Sequence, residues 1–233
     1  MNSESTQTPN TSQRDSSQRF LNGSKYCDFS PDDADEARKV AAAWGELHYG
    51  EWYKSYDNKC EYYEVVRGYC SDLYKQINRF LRNIPWPYGT TGIEEKIEKM
   101  KTIINEAPRV PENIIVYRGV EKSIFDKIKK ASKSSQWFCE EGFLSTSLVS
   151  EPVPNEKDRY DYMLRIYIPK GTPSLYVYLI AKDRYCEQEM LFLPNTHLRL
   201  IKCKWWPFSF SKKKIGNYHF YDCELSYLTT PAT

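Results

Sequence analysis

The sequence lacks several features that would place it at once in a class of proteins. Its net charge is only +2 at pH 7, from 33 basic and 31 acidic residues, so no excess of positive charge indicates a nucleic-acid partner. No apolar run approaches the roughly 18 residues of a membrane span, and no apolar core of a secretory signal follows Met1. A Gly-rich dinucleotide fingerprint is also missing. A globular domain that neither spans a membrane nor binds nucleic acid is the expectation.

Metal sites and disulfide frameworks have no sequence signature either. The seven cysteines are spread singly, without a CxxC pair, and the three histidines have no ligand spacing. An odd count of isolated cysteines argues against a disulfide framework or a structural zinc site. We therefore expect free thiols, no bound metal and a protein that works in a reducing compartment.

The chain does contain enough apolar material for one substantial core, since 40% of its 233 residues are hydrophobic and 15% are aromatic. The first residues differ, because residues 1–18 are mostly Ser, Thr, Asn and Gln with scattered charges. Such a segment cannot bury enough surface to order itself, so residues 1–25 are predicted to form a disordered polar tail. An export signal for a needle-type bacterial secretion system is the alternative for this segment.

Helical patterns dominate the first half of the chain and strand patterns the second. Ser30 is predicted to cap the first helix. Apolar spacing predicts helices from there to about His48 and over Asp72–Asn83, Glu94–Asn105 and Lys122–Ser132, with a loop and a short helix in Tyr53–Tyr63. The predicted strands are Ile114–Tyr117, Phe143–Leu148, Tyr162–Ile168, Leu175–Ile180, Glu189–Leu193, Leu198–Trp205 and Tyr218–Leu228.

Helices followed by many short strands, without βαβ alternation, indicate an α+β fold. We expect a single domain over residues 26–230, with a helical part at about 26–108 and a β-rich part at about 109–230.

Three short fragments place polar side chains at predicted strands. Arg118 ends the first strand in VYRGV, Ser145 begins the Ser-Thr-Ser of GFLSTSL, and Glu187 and Glu189 precede the apolar part of a later strand in EQE. Side chains two apart on a strand point to one face, so the two carboxylates are expected to project side by side. Each fragment alone is common, because an isolated ExE is usually a solvated strand end and a lone arginine a salt bridge.

In this order the fragments resemble the R-S-E signature of mono-ADP-ribosyltransferases. The chain is similar to the catalytic domain of actin-modifying binary toxins and vegetative insecticidal proteins, and to Rho-modifying clostridial exoenzymes. The similarity includes Trp44–Trp52, Tyr69–Arg82 and Leu164–Val177 and extends over about residues 28–228. It implies an N-terminal helical lobe packed on a mixed or antiparallel two-sheet β core.

The resemblance also implies roles for the residues that match. Glu189 matches the residue that hydrogen-bonds the nicotinamide ribose, where a carboxylate stabilises the oxocarbenium-like cation left when nicotinamide departs. Arg118 matches the diphosphate ligand, for which a guanidinium has suitable geometry. Ser145 holds the glutamate and the ribose in register, and Tyr69 and Tyr74 match tyrosines that line the NAD cleft. NAD is then a substrate, and no metal is needed.

Glu187 concerns the acceptor rather than NAD. Within the resemblance, glutamate at this position accompanies arginine acceptors, and glutamine accompanies asparagine acceptors. A second carboxylate can bind the acceptor guanidinium and help to remove its proton. Tyr185 matches, one place off, the loop aromatic that recognises the protein target.

The chain departs from the family pattern after Ser-Thr-Ser. Glu156 falls where the family has a phenylalanine that stacks on nicotinamide, and Tyr160 or Tyr162 are the candidates to replace it. Arg159 falls on a family arginine and is expected to serve the phosphates. Residues 205–214, WWPFSFSKKK, are expected to form a hairpin tip, with contact to a target or a membrane surface as the alternative.

The expected protein is a monomeric mono-ADP-ribosyltransferase that moves ADP-ribose from NAD to an arginine of a host protein, with actin favoured and a Rho-type GTPase second. We expect a toxin or effector that is secreted or injected without a Sec signal and acts in the host cytosol. The extra non-catalytic copy of larger relatives is not expected in a chain of this length. Two alternatives stay open: an NAD glycohydrolase, which would not require Glu187, and a catalytically inactive NAD- or target-binding module.

Overall fold

The described residues form five α-helices and a large mixed sheet, which confirms the predicted α+β class. The computed structural model describes residues 17–30, 33–55, 59–87, 89–151, 160, 162–201 and 220–227. The helices are α1 (Ala34–Ser55), α2 (Lys59–Gly68), α3 (Tyr74–Leu81), α4 (Ile93–Glu106) and α5 (Lys122–Lys133). The strands are β1 (Ser17–Leu21), β2 (Ser24–Asp28), β3 (Ile114–Val120), β4 (Phe138–Glu140), β5 (Leu144–Ser147), β6 (Tyr162–Ile168), β7 (Ser174–Tyr176), β8 (Glu189–Phe192), β9 (Thr196–Leu200) and β10 (Phe220–Ser226).

The described strands join in the order β4-β9-β10-β6-β3-β5-β8-β7, and β2 pairs with both β1 and β3. The ladder between β3 and β6 is antiparallel, whereas β10 runs parallel to β6. In contrast, β3 and β5 are joined at one residue pair, Tyr117–Ser147. The sheet therefore consists of two groups of strands that meet at this junction, and Arg118 of β3 and Ser145 of β5 lie close to it.

Apolar side chains of β3 are buried on both faces of the sheet. Ile114 and Val116 belong to the main core, which also includes residues of α1, α3 and α4. Ile115 and Tyr117 point the other way, into a smaller core that includes Phe220 of β10. Burial on two faces explains the continuous apolar run of this central strand, and it holds the backbone beside Arg118 rigidly.

Strands β1 and β2 correct the predicted N-terminal tail, because residues 17–28 form an antiparallel hairpin. Cys27 of this hairpin pairs with Ile114 of β3. Arg19 donates to the buried carboxylate of Asp28 at 2.7 Å, and the ring of Tyr26 packs edge-on against Tyr167. These tertiary contacts order a stretch whose composition is polar. Residues 1–16 lie outside the described part of the chain.

The first helix differs from its prediction at both ends. Asp33, rather than Ser30, caps α1, because the backbone N–H of Glu36 donates to Asp33 Oδ1 over 2.8 Å. The Oγ atom of Ser30 instead accepts from the backbone N–H of Ser150.

At its other end, α1 continues beyond the predicted stop near His48 and through Gly50 to Ser55. Its side chains Tyr49 and Tyr53 are buried in the main core. This burial outweighs the cost of about 1 kcal/mol for a glycine inside a helix.

Helix α2 and helix α3 form a nearly continuous helical stretch, where the sequence predicted a loop, a short helix and then a helix from Asp72. A π-helical turn, Tyr69–Leu73, joins them. Such a turn accommodates an extra residue and is frequent at functional sites. It brings Tyr69 and Cys70 into the buried interior.

The other predicted elements are found with small shifts of their ends, and β4 is an additional strand. Parts of the predicted strands Leu198–Trp205 and Tyr218–Leu228 lie outside the described residues. The predicted strand Leu175–Ile180 ends as the single-turn helix Val177–Leu179. No helix among the described residues is both long and apolar enough to cross a membrane. The cysteines with described side chains, Cys27, Cys70, Cys139, Cys186 and Cys223, are not in disulfides.

Candidate active site

Arg118 lies within β3, one residue beyond the junction with β5, rather than at the strand's end. Its Nη1 donates to the carbonyl oxygen of Ser145 over 2.7 Å, and its Nη2 lies 3.7 Å from Oε2 of Glu140. The side chain is 21% exposed. A guanidinium oriented by a carbonyl and a carboxylate, yet still reached by solvent, can bind a phosphate through its remaining N–H groups.

Ser145 and Glu189 are joined by a hydrogen bond between neighbouring antiparallel strands. The hydroxyl of Ser145 donates to Oε1 of Glu189 over 2.5 Å. Ser147 is the residue directly opposite Glu189 in the register, so Ser145 reaches it as a diagonal neighbour. Glu189 is 5% exposed, and a carboxylate removed from water in this way needs such donors. The structure therefore brings Arg118, Ser145 and Glu189 together, as predicted.

The other carboxylate oxygen of Glu189 faces the π-helical turn. Cys70 Sγ lies 3.9 Å from Glu189 Oε2, at the weak end of hydrogen bonding for a thiol donor. The helical part of the molecule thus contacts the oxygen of Glu189 that does not accept from Ser145. This contact was not predicted, because a single cysteine in a helix carries no such signal.

Tyr69 and Tyr74, the two predicted NAD-cleft tyrosines, lie edge-on to each other with 6.5 Å between ring centroids. Tyr69 is 2% exposed, while Tyr74 is half-buried. The Tyr69 hydroxyl accepts from Nδ2 of Asn78 over 3.0 Å. Burial is the main cause that raises the pKa of Tyr69. The Asn78 hydrogen bond lowers this pKa, and the negative charge of Glu189 raises it further. Tyr69 is therefore a neutral, fixed ring beneath the site.

Arg82 and Glu140 are site residues that the sequence reasoning missed. Oε1 of the buried Glu140 accepts from Nε of Arg82 at 2.9 Å and from the backbone N–H of Gly142 at 3.0 Å. Nη2 of Arg82 lies 2.8 Å from the same oxygen. Since Glu140 also lies beside Arg118, one carboxylate holds two guanidinium groups. The only sequence signal was an acidic residue shortly before Ser145, which is indistinguishable from a solvated one.

Asn78 fastens α3 to the turn before β5. Its Oδ1 accepts from the backbone N–H of Phe143 over 2.9 Å. A Cβ atom on Gly142 would lie only 2.8 Å from that Oδ1 atom and 3.2 Å from Nη2 of Arg82. Glycine is therefore required for this close approach. The turn positions Phe143, and with it the strand that carries Ser145, against the helix.

The predicted side-by-side arrangement of Glu187 and Glu189 on one strand face is wrong in its geometry. Strand β8 begins at Glu189, and Gln188 has a left-handed backbone, with φ of 45°. Strand alternation therefore does not relate the two glutamates. Glu187 is half-buried at the end of the preceding loop, whereas Glu189 is buried.

Tyr185, the predicted target-recognition residue, lies in that same loop and is half-buried. Its ring packs edge-on against the ring of Tyr178, with 5.4 Å between the ring centroids. The Nζ atom of Lys182 lies over the Tyr178 ring, 4.5 Å from its centroid. Cys186 is exposed. Aromatic and cationic groups thus meet in the loop that leads to Glu187.

The candidates for the missing stacking aromatic occupy different surroundings. The ring of Tyr162 stacks on Phe125 of α5 with 4.0 Å between centroids, so one face of this ring packs against the helix. The ring of Tyr160 lies against Gly119, where a Cβ atom would come within 2.3 Å of it. Glu156 and Arg159 lie outside the described residues, as do residues 205–214.

Among the described residues, no group of three or more His, Cys, Asp or Glu side chains could hold a metal ion.

Comparison with protein-family models matches residues 41–214 to the ADP-ribosyltransferase exoenzyme family. Comparison with curated proteins gives no match. Among solved structures, the chain is similar to Plx2a, an ADP-ribosyltransferase toxin from Paenibacillus larvae, with a TM-score of 0.64 and 21% identity over 86% of this chain and 99% of that one.

It is also similar to the C3 exoenzyme of Clostridium limosum, with a TM-score of 0.60 and 17% identity over 87% of this chain and 98% of the exoenzyme. A third similar structure is BECa of C. perfringens, an ADP-ribosylating toxin of a binary enterotoxin, determined with NADH. Its TM-score is 0.65 and its identity 19%, over 90% of this chain and 54% of BECa. The fold is therefore that of ADP-ribosyltransferase toxins. Because the family match spans most of its length, the chain belongs to the ADP-ribosyltransferase exoenzyme family.

Proposed function

We propose that this protein is a mono-ADP-ribosyltransferase that transfers ADP-ribose from NAD to an arginine of a host protein. The observation that carries the proposal is the hydrogen bond from Ser145 to the buried carboxylate of Glu189, at 2.5 Å. The carbonyl of the same serine accepts from Arg118 at 2.7 Å. One residue of β5 thus connects a group suited to the ribose with a group suited to the diphosphate.

Arg118 binds the diphosphate of NAD in this proposal, and Arg159 remains a candidate for the same role. Arg82 shares Glu140 with Arg118 and so adds positive charge next to it. Two neighbouring guanidiniums attract a doubly charged diphosphate more strongly than one. Tyr69 and Tyr74 line the adjacent part of the NAD cleft.

Glu189 acts on the ribose of the nicotinamide half. The bond between ribose C1′ and the nicotinamide nitrogen breaks, and nicotinamide leaves with the bonding electrons as a neutral base. The positive charge that develops on the ribose is stabilised by the Glu189 carboxylate. Because Glu189 is 5% exposed, water screens this attraction little. Ser145 keeps the carboxylate in place as the charge develops.

Glu187 serves the acceptor. A guanidinium nitrogen of the acceptor arginine attacks C1′ and loses one proton, which Glu187 accepts. The products are ADP-ribosyl-arginine, nicotinamide and a proton. Tyr185, in the same loop, contacts the acceptor protein.

Actin is the leading acceptor and a Rho-type GTPase the second. Support for this order comes from the resemblance of the sequence to actin-modifying binary toxins and to Rho-modifying clostridial exoenzymes. The protein acts as a monomeric toxin or effector, secreted or injected by the producing cell and active in the host cytosol.

The test is incubation of the purified protein with NAD labelled in its adenylate half and with a eukaryotic lysate. The proposal predicts one labelled protein band, in which mass spectrometry locates ADP-ribose on an arginine. Free ADP-ribose without labelled protein would identify an NAD glycohydrolase instead. If NAD stays intact while it still binds, the protein is a catalytically inactive binding module.

A further inference from the structure

Gln188, the residue between the two glutamates, is fully buried and has a left-handed backbone with φ of 45°. A residue with a Cβ atom seldom adopts this conformation unless its surroundings enforce it. A polar side chain without exposure also needs a partner for each of its polar atoms. The proposed chemistry does not explain why Gln188 is buried and has a left-handed backbone.

Both ends of the Gln188 amide are hydrogen-bonded. Its Oε1 accepts from the hydroxyl of Tyr176, and its Nε2 donates to the carbonyl oxygen of Tyr185 over 2.6 Å. The main-chain carbonyl oxygen of Gln188 accepts from the backbone N–H of Leu148, beyond the end of β5, at 3.1 Å. The amide thus connects the acceptor loop to the core, and the main chain connects it to the strand that carries Ser145.

Tyr176 is itself immobilised. Its carbonyl oxygen accepts from the hydroxyl of Tyr53 at 2.6 Å. Its ring lies against Gly45 of α1, where a Cβ atom would come within 2.0 Å of Tyr176 Cε1. Burial raises the pKa of Tyr176, so its hydroxyl stays a donor at neutral pH. Gln188 is therefore attached to a fixed point of the main core.

The loop before β8 has two further attachments to the helices. Arg67 of α2 donates from Nε to the carbonyl oxygen of Ile180 at 3.2 Å. Arg38 of α1 donates from Nε to the carbonyl oxygen of Cys186 at 3.4 Å. These contacts hold the loop's two ends. The Gln188 amide holds Tyr185, which lies between these two attachments in the chain.

We infer that Gln188 is a positioning residue that sets where Glu187 and Tyr185 stand relative to the catalytic carboxylate of Glu189. Its left-handed backbone turns Glu187 out of the line of β8, and its buried amide fixes that turn. The division of ADP-ribose between a protein acceptor and water is then controlled by Gln188, although it touches neither substrate. This inference rests on the proposed function, because it uses the acceptor role of Glu187.

The test uses two variants. The first breaks one hydrogen bond of the Gln188 amide, and the second removes both. Tyr176→Phe removes the hydroxyl donor and keeps the ring against Gly45, and Gln188→Leu keeps the volume of the side chain and removes the amide. Label incorporated into purified actin, or into a Rho-type GTPase in a second arm, is measured beside free ADP-ribose in the same reaction. In both variants the ratio of transfer to hydrolysis should fall by about tenfold or more, while NAD hydrolysis stays within about threefold.

The matched control is Tyr49→Phe. Tyr49 is fully buried and lies beside Tyr176, and its hydroxyl is hydrogen-bonded to the hydroxyl of Ser174 rather than to Gln188. This variant loses a buried hydroxyl of the same kind, and its transfer-to-hydrolysis ratio should match that of the wild type. In the double variant Tyr176→Phe with Gln188→Leu, the losses should be clearly less than additive, because the two side chains act as one unit.

An unchanged ratio in both variants, or a parallel fall of transfer and hydrolysis in folded protein, would overturn the inference. Hydrogen exchange of residues 181–187 is a readout that is independent of any acceptor. It should speed up in Tyr176→Phe and not in Tyr49→Phe. If the wild type labels neither acceptor protein, the proposed function fails. Hydrogen exchange still decides whether Gln188 positions the loop, because equal exchange rates in the wild type and in Tyr176→Phe would reject that role.

Discussion

Ser145 donates its hydroxyl hydrogen to Oε1 of Glu189 over 2.5 Å, although the register of the two strands places Ser147 directly opposite Glu189. The hydrogen bond therefore runs diagonally between the two strands, and the serine fixes the carboxylate although it is not the residue paired with Glu189. With Cys70 near the other carboxylate oxygen, both oxygens of Glu189 have a neighbour from a different part of the fold. The carboxylate is held in place before any ligand binds.

Glu189→Gln should remove transfer and NAD hydrolysis alike, by about 100-fold or more, and leave NAD binding nearly unchanged. Cation stabilisation is needed mainly in the transition state, and glutamine keeps an oxygen that can accept from Ser145. Nicotinamide release and calorimetric NAD affinity are the measurements. Glu51→Gln, at the exposed end of α1, is the control. Turnover near the wild-type value would contradict the assignment of Glu189.

Arg118→Ala should weaken NAD affinity by about 1.5–3 kcal/mol, the usual contribution of a charge-assisted hydrogen bond. Lysine should restore only part of this, because it lacks the planar fork that reaches the Ser145 carbonyl and a phosphate together. Calorimetry measures both variants. Unchanged affinity in Arg118→Ala would mean that another residue binds the diphosphate.

Glu187→Gln should abolish transfer to arginine while hydrolysis of NAD to free ADP-ribose survives. Water reaches the ribosyl cation without a carboxylate partner, whereas an attacking guanidinium must be oriented and deprotonated, and glutamine cannot accept that proton. Both products are measured on one preparation. A parallel fall would place Glu187 in the cation-stabilising machinery, and no fall at all would argue against an arginine acceptor.

Glu140→Gln should lower the free energy of unfolding by about 1–3 kcal/mol, because it removes the charge that two guanidiniums share in a buried position. It should also weaken NAD binding, since Arg82 and Arg118 lose their common anchor. Urea unfolding and calorimetry are the measurements. The neighbouring Glu141→Gln is the matched control, because Glu141 is exposed. Equal stability of the two variants would show that the shared carboxylate contributes little.

Alkaline pH should destabilise the protein through its buried tyrosines. Burial raises the pKa of Tyr49 to about 12 from an ordinary 10.0. The unfolded chain therefore releases this proton near pH 10 while the folded protein retains it. The contribution of the Tyr49 hydroxyl to the free energy of unfolding is complete below pH 10. It is lost as the pH rises toward 12, with a slope of up to about 1.4 kcal/mol per pH unit. Urea unfolding at pH 8 and pH 11 should show that Tyr49→Phe loses less free energy of unfolding than the wild type between these pH values. An identical loss in the two proteins would contradict the raised pKa of Tyr49.

The elements with clean periodicity were predictable. Helices α4 and α5 lie close to their predicted bounds, and β6 matches its prediction, because apolar spacing reports the buried face of an element directly. Prediction failed where distant residues supply the stability. The hairpin β1–β2 has polar strands and depends on its contacts with Tyr167 and Ile114. Helix α1 extends through Gly50 because Tyr49 and Tyr53 are buried in the main core.

The sequence by itself determined the fold class and the family, because residue type and order along the chain are sufficient for these, and it predicted that Arg118, Ser145 and Glu189 form the site. Only the tertiary structure decided how the residues act together. It placed Glu140 between Arg82 and Arg118, positioned Cys70 at Glu189, and turned Gln188 into a left-handed conformation that separates the two glutamates. Each of these depends on contacts between segments far apart in the chain, and a local pattern contains no information about which distant atoms will satisfy a buried polar group.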